Sequence, residues 1–265
     1  MYGPLTLAFK YLRYLFTAAN GKGHGVHSPF VFEFITRVLN DKRHFYAFDA
    51  IEKLRTQLLS NHNSITIQDF GAGSRVAKTN TRKISDVAKG SLKPAKYSQL
   101  LFRMIDYYAP KQIIELGTSL GITTAYLASA NTAATITTFE GSASIAQIAK
   151  QNHGSLGLTN ISLLEGNFDE QLPKWLVNHK KVDFAFIDGN HLYKPTVAYF
   201  EALLEVVEDH SILVFDDIHW SKEMEEAWAQ ISAHPRVTLS IDLFFIGIVF
   251  FRKEFAQKQQ VSVRF

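Results

Sequence analysis

The 265 residues contain no cysteine. That excludes disulfides, thiolate catalysis and Cys-ligated zinc, and it makes the cytosol the default compartment, so a cytoplasmic location is expected. Charge of either sign is scarcely in excess. With 28 basic and 25 acidic residues the formal charge is +3, too mild to point globally to nucleic acid or to an anionic membrane. Long uninterrupted apolar runs are also missing. The N-terminal MYGPLTLAFKYLRYLFTAA is broken at mid-length by Lys10 and Arg13, so it reads neither as a secretory leader nor as a bilayer span. Its spacing predicts an amphipathic helix with Leu5, Phe9, Leu12 and Phe16 on one face, and membrane-surface attachment is the alternative to plain packing. The other apolar run, LFFIGIVFF, is short and rich in aromatic and β-branched residues, which reads as a buried strand.

Two regions differ in rhythm. Residues 1–92 read as short helical pieces separated by turns: NGKGHGVHSPF is a Gly-rich connector ending in the helix-start signal Ser28-Pro29, and SPFVFEFITRVLN and FDAIEKLRTQLLS have helical spacing. A basic stretch follows, with Arg75, Lys78, Arg82, Lys83, Lys89, Lys93 and Lys96 against the single acid Asp86. It reads as a solvated face, or less readily as a patch for an anionic substrate or RNA. From Pro94 onward strands and helices alternate. The strand candidates are KQIIELG, TITTFEG, ISLLEGN, VDFAFIDG and SILVFDD, with helical segments between them. Apolar strands separated by helices imply a parallel sheet covered on both faces. The last two candidates, RVTLSID and FFIGIVFFRK, have too short a connection for a parallel crossover and should form an antiparallel hairpin.

Ligands of an open α/β sheet bind beyond the carboxyl ends of its strands. The first strand delivers Glu115, Gly117, Thr118, Ser119 and Gly121 there; the second Glu140; the third Glu165 and Asn167; the fourth Asp188 and His191; the fifth Asp216 and Asp217. The loop pattern is E-x-G-x-x-x-G, without the glycine spacing that close approach of a pyrophosphate requires. Glu140 lies one strand–helix–strand unit further on, where an acid accepts hydrogen bonds from ribose hydroxyls. Together these suggest a nucleoside cofactor without phosphates.

On IIELGTSLGITTAYLA, FEG, FIDGNHLY and LVFDDIHW, in that order and spacing, the segment from about Pro94 to Phe251 resembles the class I S-adenosylmethionine-dependent methyltransferases. It is similar in particular to the metal-dependent small-molecule O-methyltransferases, the catechol and caffeoyl-CoA type. The resemblance implies a Rossmann-like, doubly wound, seven-stranded α/β sheet, mostly parallel with a C-terminal antiparallel hairpin. Residues 93–265 would be the S-adenosylmethionine-binding domain, and residues 1–92 a mainly helical, substrate-covering extension. Glu115 and the turn Gly117, Thr118, Ser119 and Gly121 would hold the methionine part of S-adenosylmethionine. Glu140 would take the ribose, with Gly141 and Ser142 beside it, and Asn167 would face the adenine, where the family often has an acid.

In the metal-dependent branch an Asp ending the fourth strand and an Asp-Asn pair ending the fifth bind Mg²⁺. The matching residues here are Asp188, Asp216 and Asp217, with Asp-Asp in place of Asp-Asn; such an ion would lower the pKa of a substrate hydroxyl. The other reading of these acids is that Asp188 contacts the cofactor amine and the pair caps a helix. His191, three residues after Asp188, is either a general base or a hydrogen-bonding partner of a carboxylate. His219 is a weaker base candidate, and Tyr193, Trp220, His24 and His27 are candidates for the pocket lining or its cover. A small-molecule methyl acceptor is the expected partner, nucleic acid is not, no membrane span is expected, and a homodimer stays open. RNA or protein methylation, an NAD-type oxidoreductase and a non-catalytic binding module are the alternatives.

A second Gly-x-Gly turn, IQDFGAGSR at Ile67–Arg75, follows an apolar run and an acid. It lacks the continuation of a working cofactor loop, because a basic, polar run follows and no strand is expected for some forty residues. It reads instead as a turn in the cover. Asp69→Ala should therefore leave the affinity for S-adenosylhomocysteine nearly unchanged in calorimetry, while Glu140→Ala should weaken it.

Overall fold

The computed structural model describes residues 1–23, 27–67, 81–255 and 257–265. The chain packs as two compact units: residues 1–41 with 176–265, and residues 42–175. The sequence suggested a division at 92/93. Packing draws it elsewhere, because the first 41 residues pack with the C-terminal strands while residues 42–92 pack with the first parallel strands.

In the 42–175 unit, β3 (Gln112–Leu116), β4 (Thr135–Glu140) and β5 (Ile161–Glu165) lie in that order and are parallel. Register sets Leu116 beside Phe139 and Glu140 beside Glu165, so the carboxyl ends of neighbouring strands are level. The helices are α3 (Ala47–Leu59), α4 (Ile84–Ser91), α5 (Ala95–Tyr108), α6 (Ile122–Ala130) and α7 (Ala143–Ser155). Helix α6 is buried along nearly its whole length, which agrees with a sequence that carries no charged residue. An aromatic cluster joins α3, α5 and α6 through Phe48, Phe102 and Tyr126. The Tyr126 hydroxyl donates to Glu52 Oε1 at 2.7 Å, and Arg55, also on α3, donates to the same carboxylate at 2.9 Å. A large apolar ring and its polar tip are thus both satisfied.

A two-stranded antiparallel pair, β1 (Ser64–Thr66) and β2 (Thr81–Lys83), flanks residues 68–80. The expectation that no strand follows Gly73 for some forty residues is therefore corrected. Strand β2 is three polar residues long and is defined by its pairing, which no sequence periodicity reveals.

In the other unit the order is β10 (Gln259–Ser262), β8 (Leu239–Asp242), β9 (Ile246–Phe250), β7 (Val207–Asp216), β6 (Val182–Ile187). Strands β6 and β7 are parallel, and β9 is antiparallel to both β7 and β8, which is the expected terminal hairpin. Strand β10 was not anticipated: the two units hold eight such strands among the described residues instead of seven. Its sequence, QQVS, has no apolar alternation. It forms parallel to β8, and the chain just after α1 (Pro4–Thr17) joins its far end, with Ala19 N donating to Ser262 O and Arg264 N to Ala19 O. Helix α1 packs through Tyr11 and Tyr14 on Phe244, while Leu5, Phe9, Leu12 and Phe16 face solvent. Helices α9 (Tyr193–Leu204) and α10 (Lys222–Ala233) complete the unit with the short α2 (Pro29–Phe34) and the π-helical turn Ile35–Leu39 that continues it; α8 (Phe168–Asn178) precedes β6.

Strand β9 can lie between β7 and β8 with Trp228 across its face because residue 247 has no side chain: a Cβ there would stand 2.6 Å from the Trp228 ring. Gly247→Ala should destabilise the fold by about 1–3 kcal/mol through overpacking, read as a lower urea midpoint at unchanged slope.

Candidate functional site

The turn after β3 is sharply bent and tied to the end of β4. Gly117, Ser119 and Gly121 all have positive φ, at 108°, 48° and 83°. The N–H groups of Gly117 and Thr118 both donate to Phe139 O at 3.1 Å, which sews the turn onto the end of β4. Glu140 is gripped by backbone: Ser119 N donates to its Oε2 at 2.8 Å and Ser142 N to its Oε1 at 2.9 Å. The two amides, one to each carboxylate oxygen, hold the group in place at the end of β4. Gly141 lies between those anchors. Ser142 is the residue before α7, and its hydroxyl pairs with that of Ser144.

Glu115 stands differently from the expectation. It is fully buried, and Thr124 and Thr138 donate to its Oε2, while Thr118 and Thr138 join hydroxyls. Its Oε1 is buried without a hydrogen-bond partner. Burial raises the Glu115 pKa from 4.5 to about 7; the two threonine hydroxyls oppose the rise and the Glu140 charge adds to it. The side chain thus braces β3, α6 and β4 through one oxygen, and only the other oxygen has capacity left.

Two residues that the sequence did not single out hold the turn from behind. On α7, Asn152 Nδ2 donates to Leu120 O at 2.8 Å, and His153 Nε2 lies 3.1 Å from Gly121 O, so that nitrogen carries the proton. Burial lowers the His153 pKa to about 4, and the imidazole is neutral at physiological pH. A Cβ on Gly121 would stand 2.4 Å from His153 Nε2, so glycine is required there by space as well as by φ. No motif marks this pair, because it acts by distance in space and not in sequence.

Asn167 caps α8: its Oδ1 accepts from Asp169 N at 3.0 Å. The preceding segment is also tied in. Ser91 Oγ pairs with Ser119 Oγ at 2.7 Å, and Ser144 Oγ donates to Thr66 O in β1. Asp69 and the rest of DFGAGSR lie outside the described residues, as does His24, while His27 is exposed.

In the other unit a second cluster forms. Asp188 after β6, His191 three residues later and Asp216 at the end of β7 bring one ligand atom each to within 4.8 Å of one another. His191 Nε2 is 3.5 Å from Asp188 Oδ1, and Asp216 is buried. Asn190, His191 and Asp217 all adopt positive φ, at 62°, 22° and 53°, a conformation costly for side-chain-bearing residues. Asp217 is outside the cluster; its N–H donates to Phe245 O at 2.7 Å. Of the expected metal set Asp188, Asp216 and Asp217, the first two share this cluster with His191.

His219 is removed from the list of bases. Its Nδ1 is 3.0 Å from Glu225 Oε1, its Nε2 is 2.9 Å from Asp242 Oδ2, and its ring stacks on Phe244. Burial lowers its pKa, but the two carboxylates outweigh that and the net shift is upward. Lys10 and Tyr2 bond to the same Glu225, so His219 belongs to the ion network that docks α1. Tyr193 donates to Gln230 on α10, and the Trp220 carbonyl accepts from Tyr2 N.

Residues 114–218 match the family described as a methyltransferase domain. Those residues are a methyltransferase domain. The whole fold agrees with that of class I O-methyltransferases. A methyltransferase from Podospora anserina bound to S-adenosylhomocysteine aligns at TM-score 0.58 and 14% identity, over 85% of this chain and 97% of its own. An O-methyltransferase from Bacillus cereus, also with S-adenosylhomocysteine, aligns at 0.54 and 20%, over 83% and 96%. The O-methyltransferase of tomaymycin synthesis from Streptomyces achromogenes, in complex with S-adenosylmethionine, aligns at 0.54 and 18%, over 62% and 82%. At such identities the likeness is one of fold. No curated protein matches the sequence. The methyltransferase domain begins within β3 and ends just past β7, so it includes Glu115, Glu140, Asp188, His191 and Asp216.

The Glu115 shift has a measurable sign. The folded state retains the proton up to about pH 7, whereas the unfolded chain releases it near 4.5. This stabilising contribution is complete below 4.5 and is lost as pH rises through 7. Thermal unfolding of Glu115→Gln should lack that loss, so its melting temperature relative to wild type should rise between pH 4.5 and pH 8.

Proposed function

We propose that the protein transfers the methyl group of S-adenosylmethionine to a hydroxyl of a small-molecule acceptor. The observation that carries this reading is Glu140, fixed by the Ser119 and Ser142 amides at a strand end within a methyltransferase domain. The residues present fit the cofactor. The Glu140 carboxylate suits the ribose hydroxyls, the positive-φ turn allows close approach of a ligand to backbone, and the buried Glu115 Oε1 retains an unused acceptor site. When bound, S-adenosylmethionine would supply an electrophilic methyl group on its sulfonium for the acceptor oxygen, with the neutral thioether as the leaving group.

The acceptor hydroxyl must lose its proton in that exchange. His191 is the group we assign to take it, with Asp188 beside it to stabilise the imidazolium. Asp188, His191 and Asp216 would also suit a divalent cation. A set of two carboxylates and one imidazole favours an ion that accepts nitrogen, such as Mn²⁺ or Zn²⁺, over the all-oxygen preference of Mg²⁺. A bound cation would supply Lewis-acid polarisation of the hydroxyl. If it holds His191, the proton of the acceptor hydroxyl goes to solvent. The contacts of Ser91 and Thr66 with the cofactor-side residues Ser119 and Ser144 support a covering role for residues 42–92.

Calorimetry with S-adenosylhomocysteine should show binding; absence of binding to it and to S-adenosylmethionine would overturn the reading. Mn²⁺ titrated into wild type and Asp216→Ala should bind the first and not the second, and equal responses would remove the metal. With radiolabelled S-adenosylmethionine and a panel of phenols, His191→Ala should lower kcat about 10²–10⁴-fold if it is the base, with S-adenosylhomocysteine affinity retained.

A further inference from the structure

We propose that the outer face of α1 seats the protein on an anionic phospholipid surface. Leu5, Phe9, Leu12 and Phe16 follow a 4-3-4 spacing and line one side of the helix. They are 88%, 70%, 53% and 85% exposed, and exposed Ala8 continues the same side. The opposite side is already docked. Tyr11 and Tyr14 pack on Phe244, Lys10 and Tyr2 bond to Glu225, and the Tyr14 hydroxyl donates to Val263 O. Scattered exposed apolar residues need no explanation, but four large ones in one continuous line mark an interaction surface.

Charge and area select the occupant. The first acid in the sequence is Glu33; before it the charged side chains are Lys10, Arg13 and Lys22. Lys10 is taken by Glu225, while Arg13 is exposed, one turn from both Phe9 and Phe16. A second copy on this face would bring two acid-free segments together, whereas anionic headgroups would neutralise them. The four side chains offer on the order of 500 Å², short of the roughly 800 Å² per partner of a standard protein interface. A lipid surface sets no such minimum. A 14-residue helix of about 21 Å can lie in the headgroup plane with its apolar line inserted. Among the described residues no helix is long and apolar enough to cross a membrane; the proposed contact is peripheral.

The test is co-sedimentation of the full chain with vesicles of phosphatidylcholine alone and of phosphatidylcholine with phosphatidylglycerol. Wild type should bind the second, less so as salt rises. Phe9→Glu/Phe16→Glu should reduce the partition about tenfold or more, and Arg13→Glu should lessen the preference for phosphatidylglycerol. These side chains are exposed, and an unchanged melting temperature and S-adenosylhomocysteine affinity would show that the fold is retained. No binding by wild type, or undiminished binding by the double variant, would overturn the proposal. A dimer on size-exclusion with light scattering that the double variant splits would assign the face to a second copy instead.

Discussion

The Glu140 carboxylate, held by two backbone amides at the end of β4, is the constraint on which the ligand end of the 42–175 unit depends. One amide belongs to the turn after β3 and the other to the start of α7, so a single side chain sets the positions of two loops. The rest of that end is built to support it. Phe139 O takes the next two N–H groups of the turn, and Asn152 and His153 take the carbonyls on its far side. These bonds hold the turn in shape from several sides, which reduces the ordering cost of binding a ligand.

Backbone strain follows the same geography. Among the described residues, besides the helix-terminal Ala109, the positive-φ residues other than glycine are Ser119, Asn190, His191, Asp217 and Phe244. The first four directly follow β3, β6 and β7, and the last lies in the β8–β9 turn. A left-handed residue reverses the chain sharply, so a strand-end side chain can be aimed by a turn of only a few residues. That is how His191 comes to stand beside Asp188 with only two residues between them. The docking of α1 uses another device. An imidazole between two carboxylates, with Lys10 on one of them, fastens a helix whose apolar outer line contributes nothing to its attachment.

Much of this was legible from the sequence because it is local. Apolar strands of four to ten residues ending in an acid, separated by helical segments, identify themselves, and the short link before FFIGIVFF requires an antiparallel neighbour. The expected positions of β3 to β9 and of the helices between them agree with those observed, except that β7 begins at Val207, inside the segment expected to be helical. Short polar strands do not identify themselves: TRK and QQVS have no periodicity, and β2 and β10 are recognised by the partners they pair with. The direction of a helix face is equally silent. The 4-3-4 line in α1 is real, but Tyr11 and Tyr14 on the other side make the contacts, since aromatic side chains with a polar tip can be buried and satisfied together.

By itself the sequence determined the order of the elements and which strand ends carry acids, because strand period, helix period and turn chemistry act over a few residues. Tertiary structure alone decided the orientation and surroundings of those acids. Asp216 ends β7 and joins Asp188 and His191, while Asp217, one residue on and in a left-handed turn, is outside that cluster. Glu115 is a buried brace, while Glu140, on the neighbouring strand, is held by two backbone amides at the strand end. Adjacent residues at the end of a strand point to opposite sides, so a difference of one position in register or φ separates a ligand from a brace.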